Sequence, residues 1–242
     1  MRSGNPALNK NTFKNLTNTS GDLMTLDGTV NKTGISLLIL LSAAYYTYTN
    51  AIMDYIFIGF IGGFILALIT IFKKNWSPVT VPMYAVLEGL ALGGVSKMYG
   101  NLFYEGIVTQ SIMLTIGIFF TLLLAYKSKL IKPTENFKLG VVAATGGIAI
   151  FYIVSMLFNV FGGTTSPLLD PSNGGLMGIG FSLFVVVIAS LNLVMDFDFI
   201  EEAAEQGSPK YMEWYGAFGL LVTLIWLYLE ILRLLAKLNS RD

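Results

Sequence analysis

The chain has 242 residues, 54% hydrophobic and only 12% charged, with a formal net charge of zero. Soluble domains carry about 45–50% apolar and about 25% charged residues, so this composition, gathered into long apolar runs, describes a polytopic membrane protein and gives no basis for binding nucleic acid. Cysteine and histidine are both absent, which excludes disulfides, thiol catalysis, thiolate metal sites and imidazole chemistry; proton handling near neutrality falls to carboxylates, lysine or tyrosine, and any bound metal must be a hard, oxygen-preferring cation.

Residues 1–32 are polar and mildly basic through Arg2, Lys10, Lys14 and Lys32. They lack the short basic region and small-residue cleavage site of a signal peptide, and a flexible or interfacial tail is expected. Two sequon matches, Asn15-Leu16-Thr17 and Asn18-Thr19-Ser20, mean nothing if this end faces the cytoplasm. Seven apolar segments follow, at 35–49, 55–72, 79–99, 106–126, 139–161, 174–195 and 211–234. Each is near the ~20 residues that cross ~30 Å of hydrocarbon; the first two are short and joined by a tight turn around Asn50 to Asp54. The runs are continuous rather than alternating, which predicts helices and not a barrel. The expectation is an all-α polytopic membrane protein of about seven transmembrane helices, its membrane domain at 33–238 and a short tail at 239–242.

Orientation follows from lysine and arginine in short loops. Lys73 and Lys74 in the second loop, and Lys127, Lys129, Lys132 and Lys138 around the fourth, share a side with the N-terminal tail, whereas the loops near Asp54, Glu105 and Asp170 carry only Lys97. The N-terminus is therefore expected in the cytoplasm. The last segment breaks this pattern, because a full span puts Arg233, Lys237 and Arg241 outside and a re-entrant one returns them; seven spans is the preferred reading, since first helices usually dominate topology. Gly59 with Gly63, Gly89 with Gly93 and Gly174 with Gly178 are spaced to bring helix backbones together. No internal repeat is visible, which weighs against an inverted-repeat transporter.

Seven of the 15 acidic residues fall between Asp196 and Glu230. Glu88, in Val86-Leu87-Glu88-Gly89-Leu90, lies about nine residues into its run, or about 14 Å deep at 1.5 Å per residue. An ionisable group there costs at least ~2.5–3.5 kcal/mol on insertion scales and should face the bundle interior, a partner or water; the plainer alternative is a protonated structural glutamate. Asp196 and Asp198 end the sixth run and diverge by roughly 200° on a helix, with Asp196 the better inward candidate and an ordinary helix-end acid the alternative. Glu201, Glu202, Glu205 and Lys210 read as a solvated loop face, or else a vestibule that concentrates cations. Glu213 opens the last helix, where the dipole favours an acid. Glu230 and Arg233 are three apart and can pair.

Three stretches carry a resemblance: Met1-Arg2-Ser3-Gly4-Asn5-Pro6, Glu88-Gly89-Leu90-Ala91-Leu92-Gly93, and above all Met195-Asp196-Phe197-Asp198-Phe199-Ile200-Glu201 through Trp214-Tyr215-Gly216-Ala217-Phe218-Gly219. On these residues the chain resembles the Bax inhibitor (transmembrane Bax inhibitor motif) family, in a bacterial branch, over nearly its whole length. The resemblance implies seven helices with six around a central last one, a multi-pass protein of the bacterial inner membrane, and a pH-sensitive Ca²⁺ leak gated by an aspartate pair between the sixth and seventh helices. Asp196 falls on the sixth-helix aspartate. The seventh-helix aspartate has no counterpart, since Leu220 to Thr223 is apolar or neutral, so Glu213, Glu230 or Glu88 would have to replace it.

The functional expectation is passive cation permeation, with Ca²⁺ as permeant ion and no tightly bound cofactor. Asp196, Glu88, Asp198, Glu213 and Glu230 are the candidates for the ion pathway or pH sensing, Arg233 is a candidate ion-pair partner, and Asp196 with Asp198 is a weak candidate for metal binding. The alternative is a non-transporting regulator within the lipid bilayer that binds membrane proteins, a membrane protease among them. Enzymatic activity is not expected. An intramembrane aspartyl protease needs two aspartates meeting across the scissile peptide, and the last run has none; a rhomboid-type serine has no histidine base.

Overall fold

In a computed structural model describing residues 22–163 and 166–241, each of the seven apolar runs is a helix. They are α1 (Leu26–Asn50), α2 (Tyr55–Phe72), α3 (Ser77–Leu102), α4 (Ile107–Lys127), α5 (Glu135–Gly162), α6 (Leu176–Glu205) and α7 (Met212–Asn239), with a 3₁₀ turn at Lys74–Trp76 leading into α3. Among the described residues the sole strand-like pairing is an isolated bridge between Leu23 and Pro209. Helices α2 to α7 are long and apolar enough to cross a membrane, and the protein is a multi-pass membrane protein. Helix α1 is as long but less apolar, because it buries a polar stripe of Thr29, Thr33, Ser36 and Thr47.

Two boundaries differ from the sequence reading. Helix α1 begins inside the stretch expected to be a tail. Thr25 has extended backbone (φ −126°, ψ 153°) and its hydroxyl accepts from the Gly28 amide at 2.9 Å, a helix N-cap. The stripe Thr29, Thr33, Ser36, Leu40 that follows is buried at helical spacing; its polarity hid it from an apolar-run criterion. The sequon matches and the opening residues of the family resemblance lie outside the described residues. At the other end, α6 continues to Glu205, so Glu201, Glu202 and Glu205 are helical rather than loop. The helix stops where Gly207 takes a left-handed φ of 71° and the Ser208 amide donates back to the Ala203 carbonyl at 3.2 Å.

The chain forms two compact units, each assembled from distant segments. The first comprises α1, α2, α3 as far as Met98, α6 from Asp196 and α7 as far as Val222; the second takes α3 from Tyr99, α4, α5, α6 as far as Met195 and α7 from Thr223. In the first unit, glycine sets the approach of helices. A Cβ on Gly59 of α2 would overlap the Leu87 carbonyl and Ala91 of α3, while one on Gly89 or Gly93 would overlap the α1 backbone at Leu40 or Ala44. Helix α3 is thus gripped on two faces by backbone contact that any side chain would break. Thr70 Oγ1 adds a 2.7 Å bond to Thr80 Oγ1, and Tyr84 meets Phe218 edge-on with ring centroids 5.0 Å apart. The second unit has a core of Ile148, Val185 and Ile188, flanked by Phe181, Leu191 and Trp226. Its polar tie is Asn192, whose amide donates to Thr145 Oγ1 at 2.8 Å. Outward-facing Phe57, Phe64, Leu124 and Phe161 stay exposed, as lipid-facing positions must.

Candidate ion-pathway carboxylates

Glu88 sits in the middle of α3 at 7% exposure. Room for it comes from α2: a Cβ on Gly63 would overlap its carboxylate. Gly63 therefore makes space for a charged group, whereas Gly59, one turn earlier, makes space for a backbone. Helix α3 brings Glu88 here despite Pro82 in its interior. Proline removes one ladder bond near the start of a helix, and Ser77 Oγ supports that start by donating to the Tyr211 carbonyl at 2.9 Å. Glu88 has no ion-pair partner among the described residues.

Asp196 is completely buried, and Asp198 is partly exposed. The two therefore have different surroundings, as a divergence of roughly 200° between positions two apart requires. Residues 193–197 and 199–200 around them are buried too, so Asp196 lies in the interior of α6 rather than at its end. Among the described residues no group of three or more acidic side chains is placed to hold a metal ion.

Glu213 is 1% exposed and does more than complement a helix dipole. Its Oε1 accepts from the Thr25 amide at 3.1 Å and the Thr25 hydroxyl at 2.9 Å, and lies 3.1 Å from Lys210 Nζ. Gly28 leaves the carboxylate its space, since a Cβ there would overlap it. The Met24 amide donates to the Ser208 carbonyl at 2.8 Å and the Lys210 amide to the Asp22 carbonyl at 3.0 Å, closing the same junction. Sequence reasoning missed Thr25 and Gly28 as partners, because nothing local marks a contact across 188 positions.

In the second unit Glu230 and Arg233 pair at 2.8 Å, and the pair has a third member. Tyr152 of α5 donates to Glu230 Oε1 at 2.6 Å and accepts from Arg233 Nη1 at 2.9 Å, with the guanidinium over its ring. Tyr152 thus bridges the buried Glu230 and the partly buried Arg233, adding the hydrogen bonds that burying a charge requires. Leu220, Leu221 and Thr223, in the stretch where the resemblance leads one to look for a seventh-helix aspartate, are all buried. A completely buried Lys237, not singled out among the sequence candidates, lies one turn beyond Arg233.

The family model described as Bax inhibitor 1 like matches residues 5–240. Comparison with curated proteins gave no match.

Proposed function

The chain belongs to the Bax inhibitor 1-like family, and on that premise we propose that it is a pH-sensitive cation leak of the bacterial inner membrane, with Ca²⁺ as its permeant ion and its N-terminus in the cytoplasm. The observation that carries this reading is the burial of Asp196 and Glu88 within one unit of a chain that has so few charges. Carboxylates within a membrane span are costly and mark ion or proton paths, and carboxylate oxygen is the preferred ligand of Ca²⁺. Of the three acids that could stand in for the absent seventh-helix aspartate, Glu213 is tied to Thr25 and Lys210 and Glu230 to Arg233. Among the described residues Glu88 alone of the three lacks a cation, so Asp196 and Glu88 are the acids assigned to the path. Loss of protons as pH rises puts negative charge into a low-dielectric interior, which loosens the packing that closes the path.

The experiment is Ca²⁺ flux in proteoliposomes for the wild type, Asp196→Asn and Glu88→Gln across about pH 5 to 8, where tuned carboxylates titrate. Flux should rise with pH in the wild type and lose that dependence in Asp196→Asn. Identical profiles for all three proteins remove both acids from the path. Tags at Lys74 and Lys132 should report the cytoplasm and a tag after Asp170 the outside; Lys74 and Asp170 on one side would overturn the orientation. One observation favours a non-transporting regulator that binds membrane proteins: both α7 acids are engaged in internal ties. Wild-type flux no greater than that of empty liposomes would select that reading.

A further inference from the structure

Lys237 stands in the last turns of α7 with 0% exposure, among the largest fully buried side chains of the protein. Its ammonium donates to the Leu168 carbonyl before α6, to the Gly178 carbonyl at 3.0 Å and to Ser182 Oγ at 3.0 Å. All three acceptors are neutral, and together they use the three protons that an ammonium carries.

The seat lies beside the two glycines whose spacing suggests helix packing. A Cβ on Gly178 would stand 3.6 Å from Lys237 Nζ and 3.3 Å from the Asn173 carbonyl, and one on Gly174 would crowd the backbone of Ser240 and Arg241 at 2.7–2.9 Å. Gly174 admits the end of α7, and Gly178 lies beside the ammonium and offers it a carbonyl. A buried lysine is ordinarily matched by a carboxylate. Here backbone carbonyls and a hydroxyl replace its hydration shell, as carbonyl rings and unwound helix ends do for K⁺ and Na⁺ in channels and transporters.

We propose that the oxygens of Leu168, Gly178 and Ser182 form a binding site for a small monovalent cation, that the Lys237 ammonium is its tethered occupant, and that free monovalent cations compete with it for the seat holding the end of α7. A set of neutral oxygens suits a monovalent ion; Ca²⁺ is drawn to carboxylates. The site is separate from the acids assigned to Ca²⁺ permeation, and its test reads stability rather than flux.

The test is thermal unfolding of the purified full chain in detergent, in chloride salts of ammonium, potassium and choline at equal ionic strength, and with added Ca²⁺. Lys237→Ala empties the seat. Its Tm should lie below that of the wild type and rise by several degrees in ammonium or potassium relative to choline, which is too large to enter. Ca²⁺ should not substitute. Lys237→Ala/Ser182→Ala, with one oxygen fewer, should lose most of the rise, and Lys237→Met, whose side chain fills the space, should show none. A Lys237→Ala protein whose Tm is the same in all the salts overturns the proposal, as does one that stays unfolded even in ammonium. An equal rise in the wild type and Lys237→Met also overturns it, by placing the cation effect elsewhere.

Discussion

The first unit buries Glu88, Asp196 and Glu213; the second buries Lys138 and Lys237 and sets Glu230 against Arg233. The two interiors therefore handle charge in opposite ways. In the first, every buried charged side chain among the described residues is an acid, and the lysine that reaches Glu213 is half exposed. In the second, cations lie inside, satisfied by a neighbouring acid, by tyrosine or by neutral oxygen. The first unit meets its buried Glu213 with an exposed lysine and a threonine, whereas the second carries its cations inside. Burial alone does not identify a functional acid; what else is buried with it does.

The sharpest way to break this contrast is to remove the internal cation. Arg233→Met should cost about 3–5 kcal/mol of unfolding free energy, the usual effect of stranding a buried charge, while Glu230→Leu/Arg233→Met should recover most of it. Reversible unfolding in mixed micelles measures both, and a cost for Arg233→Met no larger than that of an exposed arginine would show that the second unit is not compensated from within. A smaller effect is expected at the junction of the first unit. Glu213→Ala should cost about 1.5–3 kcal/mol, the range for hydrogen bonds to a charged group, against at most about 1 kcal/mol for Lys210→Ala, since an exposed partner is screened by solvent. Equal costs would make the lysine, not Thr25, the partner that matters. The smallest effect concerns Glu88. Gly63→Ala should destabilise by about 1–3 kcal/mol through overpacking, and Gly63→Ala/Glu88→Ala should be less than additive, because the crowded carboxylate is gone. Strict additivity would place Glu88 away from Gly63.

What was legible in the sequence follows the range of the forces involved. Apolar runs report burial in lipid position by position, so α2 to α7 could be read directly. The Glu230–Arg233 pair was legible because three residues on a helix is a fixed distance. The start of α1 was not, since it is buried through threonine and serine. Nor was the helical state of Glu201 to Glu205, where acidic side chains gave no sign that the backbone continues. The glycine pairs announced close approach but not its object: Gly59 meets a backbone, Gly63 a carboxylate and Gly174 the end of α7. Tyr152 at Glu230 and Thr25 at Glu213 are matters of tertiary position, and one chain without relatives aligned to it carries no trace of either.

The tie between Thr25 and Glu213 also has a place in time. The two residues are 188 positions apart, and at about 5–20 residues per second a ribosome delivers the second roughly 10–40 s after the first. Through that interval the first turn of α1 has only its own cap, the Thr25 hydroxyl on the Gly28 amide. The junction closes when the last helix has been made and has reached its place. A truncated chain, or one whose final helix fails to insert, is left with an open seam at its beginning.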